Sequence, residues 1–148
     1  MPLRRDSTGE MNVSVEWKGG MAFQADPPSG FGFTLDSHPD YGGQGLGPTP
    51  METLLASIAA CSAMDVVSIL EKKRQEVTAY RIEAHAVRPP DGEYPRGFIE
   101  VEIVHHVSGV NLDPAAVERA IELSETKYCS VLAMLKGSPK ITNRFVVA

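Results

Sequence analysis

From Met11 to Trp17 apolar and polar residues alternate. Met11, Val13, Val15 and Trp17 fall on one side, and Asn12, Ser14 and Glu16 on the other. A period of two predicts a half-buried strand. Lys18-Gly19-Gly20 reads as a turn, Met21 to Ala25 as the returning strand, and Phe31 to Asp36 as a third short strand after Pro27-Pro28-Ser29-Gly30. A glycine-rich loop follows, Tyr41-Gly42-Gly43-Gln44-Gly45-Leu46-Gly47-Pro48. It lacks the Gly-Lys-Ser/Thr ending of a phosphate-binding loop and reads as a lid or connector.

The pattern then changes to helical. Thr49 suits an N-cap, Pro50 the first helical position, and Glu52, three residues after Thr49, completes a capping box. The helix is expected to end near Glu71-Lys72-Lys73-Arg74-Gln75, where cations suit the negative end of the helix dipole. Two long strands are predicted next, Val77 to Val87 and Phe98 to Val107. Tyr80, Ile82, Ala84 and Ala86 share one face of the first, and Ile99, Val101, Ile103, His105 and Val107 one face of the second. Arg88 to Pro95 joins them as a hairpin loop. Asp113-Pro114 opens a second helix, with Val117, Ile121, Ser124, Tyr128, Val131 and Leu135 at helical spacing. A break near Cys129 is expected, with Ser130 capping a further turn. Ile141 to Val147 is expected as a last strand. The order βββ-α-ββ-α-β, joined by hairpins, predicts an α+β fold with a largely antiparallel sheet.

Composition narrows the field only slightly. The 148 residues suit one core, with residues 1–10 a loose polar segment and 11–148 a single domain. Net charge is -5 and the basic residues are scattered, which argues against nucleic acid. No apolar run is expected to span a membrane. Met1-Pro2-Leu3-Arg4-Arg5-Asp6 is not a signal peptide, so the expected location is cytoplasmic.

Chemistry concentrates at Cys61 and Cys129, one in each apolar helical segment. In a reducing compartment two cysteines that pair do so transiently and catalytically. Free cysteine is also among the most buried residue types, so two inert core thiols remain the alternative. Ser57, Cys61, Asp65 and Ser68 form a polar stripe along the first helix. It is either the wetter side of that helix or a pocket whose hydroxyls serve a thiolate or substrate oxygen. His105 and His106 point to opposite faces of a strand, and His38 and His85 lack an obvious partner. With no paired His spacing, no metal site is expected. Trp17, Phe23, Phe31, Phe33 and Tyr41 read as core or dimer packing, or as the wall of an apolar pocket.

The Pro-x-Glu-x-Leu-Leu segment leading to Cys61, together with Lys127-Tyr128-Cys129, resembles the OsmC/Ohr family of thiol peroxidases. The resemblance runs from about Met11 to the C-terminus. The stretch Cys61-Ser62-Ala63-Met64-Asp65-Val66-Val67-Ser68-Ile69-Leu70 looks most like the YhfA-like branch. The resemblance implies an intertwined homodimer with sheets wrapping two long central helices and sites at the subunit interface. It implies that Cys61 attacks a small organic hydroperoxide and that Cys129 resolves the sulfenic acid to a disulfide. An external dithiol, lipoyl-type in the best-studied branch, then reduces the disulfide, with no bound cofactor and a role in oxidative stress defence.

The chain also departs from the family pattern. Met51 stands where the family has glutamate, with Glu52 one residue later, and no arginine lies between Arg5 and Arg74. An ungapped match puts Met21 at the arginine position. Lys18 and Lys127 are candidate cations for a thiolate, beside an arginine from a partner subunit. Glu52 reads chiefly as a cap. An ionised Asp65, four residues beyond Cys61, would disfavour a thiolate. Two other functions therefore stand beside peroxide reduction: a redox sensor or disulfide-exchange partner, and a binder of a small apolar ligand.

Overall fold

The opening hairpin forms where the Gly-Gly turn places it. The computed structural model describes residues 9–137 and 139–147 of the chain. In it β1 (Ser14–Trp17) pairs antiparallel with β2 (Phe23–Asp26), and β2 with β3 (Phe33–Leu35), giving a sheet ordered β1-β2-β3. The turn is closed by the Lys18 N–H on the Ala22 carbonyl at 2.9 Å and by the Trp17 indole N–H on the Gly20 carbonyl at 2.9 Å. β1 is shorter than its alternation suggests, and Met11, Val13, Val15 and Trp17 all stand exposed. Alternation reports which residues share a face, not whether anything covers that face. Apart from Gly9 and Glu10, the expected loose N-terminal segment lies outside the described residues.

The glycine-rich loop is tied down rather than free. Asp36, 2% exposed, accepts backbone N–H groups from Ser37 (2.7 Å), Gln44 (3.2 Å) and Leu46 (3.1 Å). The chain passes so close at Gly43 that a Cβ there would lie 1.7 Å from the Ser37 carbonyl oxygen. The described residues fall into two compact units divided after Leu54.

α1 (Pro50–Lys72) starts with the expected reciprocal box. The Glu52 N–H donates to Thr49 Oγ1 and the Thr49 N–H to Glu52 Oε2, both at 3.2 Å. It ends with Arg74 in the left-handed region (φ 56°), the Arg74 N–H on the Glu71 carbonyl and the Gln75 N–H on the Leu70 carbonyl, each at 2.9 Å. This is the paired closure usually built on glycine. At 23 residues, with mean hydropathy 1.9 over its most apolar window, α1 is long and apolar enough to cross a membrane. The expectation that no segment reaches that measure fails for this helix. Its second half instead packs Val66 and Leu70 against Ala116 and Ala120 of α2 (Pro114–Leu123), as a core helix would.

β4 (Glu76–Val87) and β5 (Glu100–Val110) form a two-stranded antiparallel hairpin whose inward faces are those the alternation assigned, except for Ile99, which precedes β5 and is exposed. Val77, Tyr80 and Val107 lie against the α1–α2 core. Tyr80 Oη meets His105 Nδ1 on this face, while His106 points outward to Glu83 at 3.2 Å. Burial pushes the Tyr80 hydroxyl up to about 12 and the His105 ring down.

After α2 the helix widens into a π-type turn (Ser124–Tyr128) and restarts as α3 (Ser130–Lys136). The break falls where expected, but its cap is Cys129, not Ser130. Cys129 is extended, and its sulfur accepts the Leu132 N–H at 3.5 Å. Residues 141–147, expected as a strand, have no regular secondary structure, and Ile141, Phe145, Val146 and Val147 are exposed. A strand needs a neighbour for its backbone groups, and among the described residues no strand pairs with this segment.

Candidate functional site: a two-cysteine cluster

All the residues that form the cluster lie in the second unit. Cys61 and Asp65 are one helical turn apart on α1, which puts them on one face. Ser62, beside Cys61, is buried and turned to the core. Cys129 reaches the same place because the π-type turn ends there and the chain turns extended before α3. The Cys61 and Cys129 sulfurs and an Asp65 carboxylate oxygen all lie within 4.8 Å of one another. The two thiols therefore adjoin one another across the two segments. Both are free cysteines, Cys61 half-buried and Cys129 buried.

A small polar network underlies the sulfurs. Ser124, fully buried at the start of the π-type turn, donates to Asp65 Oδ2 at 2.9 Å and lies 3.4 Å from Ser62 Oγ. This bond fixes Asp65 from beneath and joins α1 to the turn that carries Cys129.

Burial separates the two cysteines. Burial pushes the Cys129 thiol above its ordinary value, the Leu132 N–H opposes this, and the adjoining Cys61 adds to the rise. Cys129 is thus held as a thiol, a poor first nucleophile. Cys61 is the more accessible of the pair. Beside Cys129 a cavity of about 280 Å³ is lined by Glu125, Thr126, Lys127, Ala133 and Lys136. Lys127 therefore shares that cavity with Cys129, with its ammonium 5.2 Å from the Tyr128 ring centre.

The other sequence-selected residues are engaged elsewhere. Lys18 pairs with Glu16 at 3.2 Å in the first unit, and Glu52 is occupied in the capping box. Ser57 and Ser68 are exposed on α1, and the polar stripe enters the three-residue cluster at Cys61 and Asp65. Met21 lines a separate apolar cavity of about 450 Å³ in the first unit with Val15, Phe23, Leu35 and Pro50. Reading spacing along the chain found no metal-ligating set, yet the fold gathers two sulfurs and a carboxylate. It also missed Ser62 and Ser124. Their contact joins positions 62 residues apart, and small hydroxyls on helices carry no local signal of such a partner.

Comparison with known proteins gives this arrangement its setting. A family model described as OsmC-like protein matches residues 43–144. Protein YhfA of Escherichia coli strain K12 is 38% identical over 138 residues, covering 93% of this chain and 98% of that one. The crystal structure of a hypothetical protein from Aquifex aeolicus VF5 is 37% identical, with a TM-score of 0.74, covering 86% of this chain and 87% of that one. An organic hydroperoxide resistance protein OsmC from Legionella pneumophila shares the fold at 14% identity, with a TM-score of 0.62, covering 89% of this chain and 93% of that one. With a matching family model over most of the chain and a relative matched nearly end to end, this protein belongs to the OsmC-like family.

Proposed function

We propose that the protein is a thiol-dependent peroxidase for small organic hydroperoxides. It would act in the cytoplasm in oxidative stress defence and as a homodimer. The observation that carries the reading is the meeting of two thiols from segments 68 positions apart in the chain, within 4.8 Å and with an accessible member and a buried one. In this reading the Cys61 thiolate attacks the outer peroxide oxygen. The O–O bond breaks, and the alkoxide leaves and takes up a proton to become the alcohol. Cys61 is left as a sulfenic acid. Cys129 then gives up its proton, its sulfur bonds to Cys61, and the sulfenic oxygen leaves as water. The sulfurs must close from at most 4.8 Å to about 2.05 Å. An external dithiol returns two electrons and two protons.

In the first step Cys61 gives up its proton to solvent. The test is single-turnover thiol loss with excess cumene hydroperoxide. A thiol of ordinary pKa, ~8.5, gains about thirtyfold in thiolate at pH 7 if fully ionised. Loss at least that much faster than free cysteine is expected, ending in a Cys61–Cys129 bond and abolished in Cys61→Ser. Loss no faster than free cysteine would sink the reading.

A second reading, a binder of a small apolar ligand, is favoured by one observation. Met21, where the family has arginine, makes the first unit's cavity apolar. A ligand retained in native mass spectrometry, with both thiols unreactive to hydroperoxide, would select it.

A further inference from the structure

We propose that the reduced cluster is also a binding site for one thiophilic divalent cation, with Zn²⁺ the best match, held by Cys61, Asp65 and Cys129. Around a tetrahedral Zn²⁺, Zn–S bonds of about 2.3 Å and Zn–O bonds of about 2.1 Å put two sulfurs ~3.8 Å apart and a sulfur and an oxygen ~3.6 Å apart. The three ligand atoms already lie within 4.8 Å of one another, so seating the ion asks each pair to close by at most about 1.2 Å. Two ligands sit on one rigid helix at one-turn spacing, and the third on the extended residue that starts α3.

The surroundings fit a ligand set. The Ser124 hydroxyl on Asp65 Oδ2 supplies the kind of outer hydrogen bond that orients a ligating carboxylate. A carboxylate has about four lone-pair positions, so this bond leaves room for a cation. Sulfur with carboxylate suits Zn²⁺ better than Mg²⁺ or Ca²⁺, which prefer all-oxygen sites. Three protein ligands leave one position for water or an exogenous ligand.

Binding converts two thiols to thiolates and releases two protons to solvent. It also excludes the disulfide, because the same sulfurs cannot hold the metal and each other. Where the peroxidase reading holds, a hydroperoxide takes two electrons from the pair. With two solvent protons it becomes alcohol and water, the S–S bond forms and Zn²⁺ leaves. Only this coupling rests on the peroxidase reading, since the ion site itself needs only reduced thiols.

The test is anaerobic titration of the reduced full chain with Co²⁺, followed by displacement with Zn²⁺. One Co²⁺ per chain is expected, with sulfur-to-cobalt absorption in the near ultraviolet and intense visible bands of a tetrahedral ion. Zn²⁺ should abolish both, and the diamide-oxidised protein should show neither. Ser124→Ala should weaken binding about tenfold by removing the outer hydrogen bond. Asp65→Asn keeps both thiols and should weaken it more. A pale six-coordinate spectrum, or binding unchanged by Cys61→Ser, would overturn the proposal. The wild-type spectrum decides even if a variant folds poorly. Hydroperoxide-dependent thiol loss is measured separately on metal-free protein, so a negative there refutes the peroxidase reading and leaves the cobalt result standing. Zn²⁺-loaded protein should lose its thiols more slowly than the metal-free form. Equal rates would refute the coupling.

Discussion

Asp36 shows how one buried carboxylate can order a loop that is otherwise mostly glycine. Three backbone N–H groups converge on its two oxygens, and its own N–H donates to the Pro48 carbonyl at 3.1 Å, just before α1 begins. These donors, Leu46 foremost and then Ser37, hold its carboxyl below the ordinary 3.8, against the effect of burial. A carboxyl whose folded pKa is depressed adds stability that is present above its unfolded value. That stability is lost as pH falls through the folded one. Thermal melting should therefore drop as the wild type is taken below about pH 4. Asp36→Asn should melt several degrees lower at pH 7 and show a shallower acid dependence, since it has no charge to lose. An unchanged acid slope in the variant would assign that slope to other carboxyls. Ser124 works at the same scale within the cluster, where one hydroxyl couples Asp65 on α1 to the turn that presents Cys129.

Elements were legible where their signals are local. Thr49, Pro50 and Glu52 announce the start of α1 because a capping box closes within four residues. The faces of β4 and β5 follow from alternation alone. The cap of α3 was not legible. Serine is the stronger oxygen acceptor and the obvious candidate, but the π-type turn shifts the chain so that Cys129 takes the extended capping geometry. Nor could the cluster be read from spacing, since the resemblance paired the cysteines while Asp65 and Ser124 come together only through packing. The end of α1 shows a compromise that sequence charge disguises. Arg74, which reads as a cation for the helix dipole, occupies the left-handed position of the closing motif. A side chain there costs ~1–2 kcal/mol, partly offset by the entropy glycine would lose on folding. Arg74→Gly should therefore stabilise the fold by about 0.5–1 kcal/mol. That corresponds to a melting temperature about 2–3 °C higher. A lower melting temperature would mean that the Arg74 charge at the helix end outweighs its backbone strain.

At the scale of the whole molecule, apolar side chains concentrate where pairing stops. Val15 and Trp17 are exposed on β1 with Met11 and Val13 just before it, and Met64 and Val67 line an uncovered side of α1. Ile141, Phe145, Val146 and Val147 follow α3 without a partner strand among the described residues. Water-exposed apolar surface on this scale marks a surface for association. Residues 141–147 alternate as a strand should, and what they lack is a neighbouring edge. A homodimer in which that segment adds to the partner's sheet would satisfy both needs, supplying backbone hydrogen bonds and covering Phe145. Sedimentation at micromolar concentration should then give a dimer. A chain ending at Pro139 should shift toward monomer and melt at a lower temperature. Phe145→Asp should weaken the dimer with the backbone left intact, by placing a charge in an apolar contact. A wild-type chain that sediments as a monomer across the same range would remove the dimer. It would leave the proposed Cys61–Cys129 chemistry to act within a single chain, where the cobalt titration and the thiol-loss assay still apply.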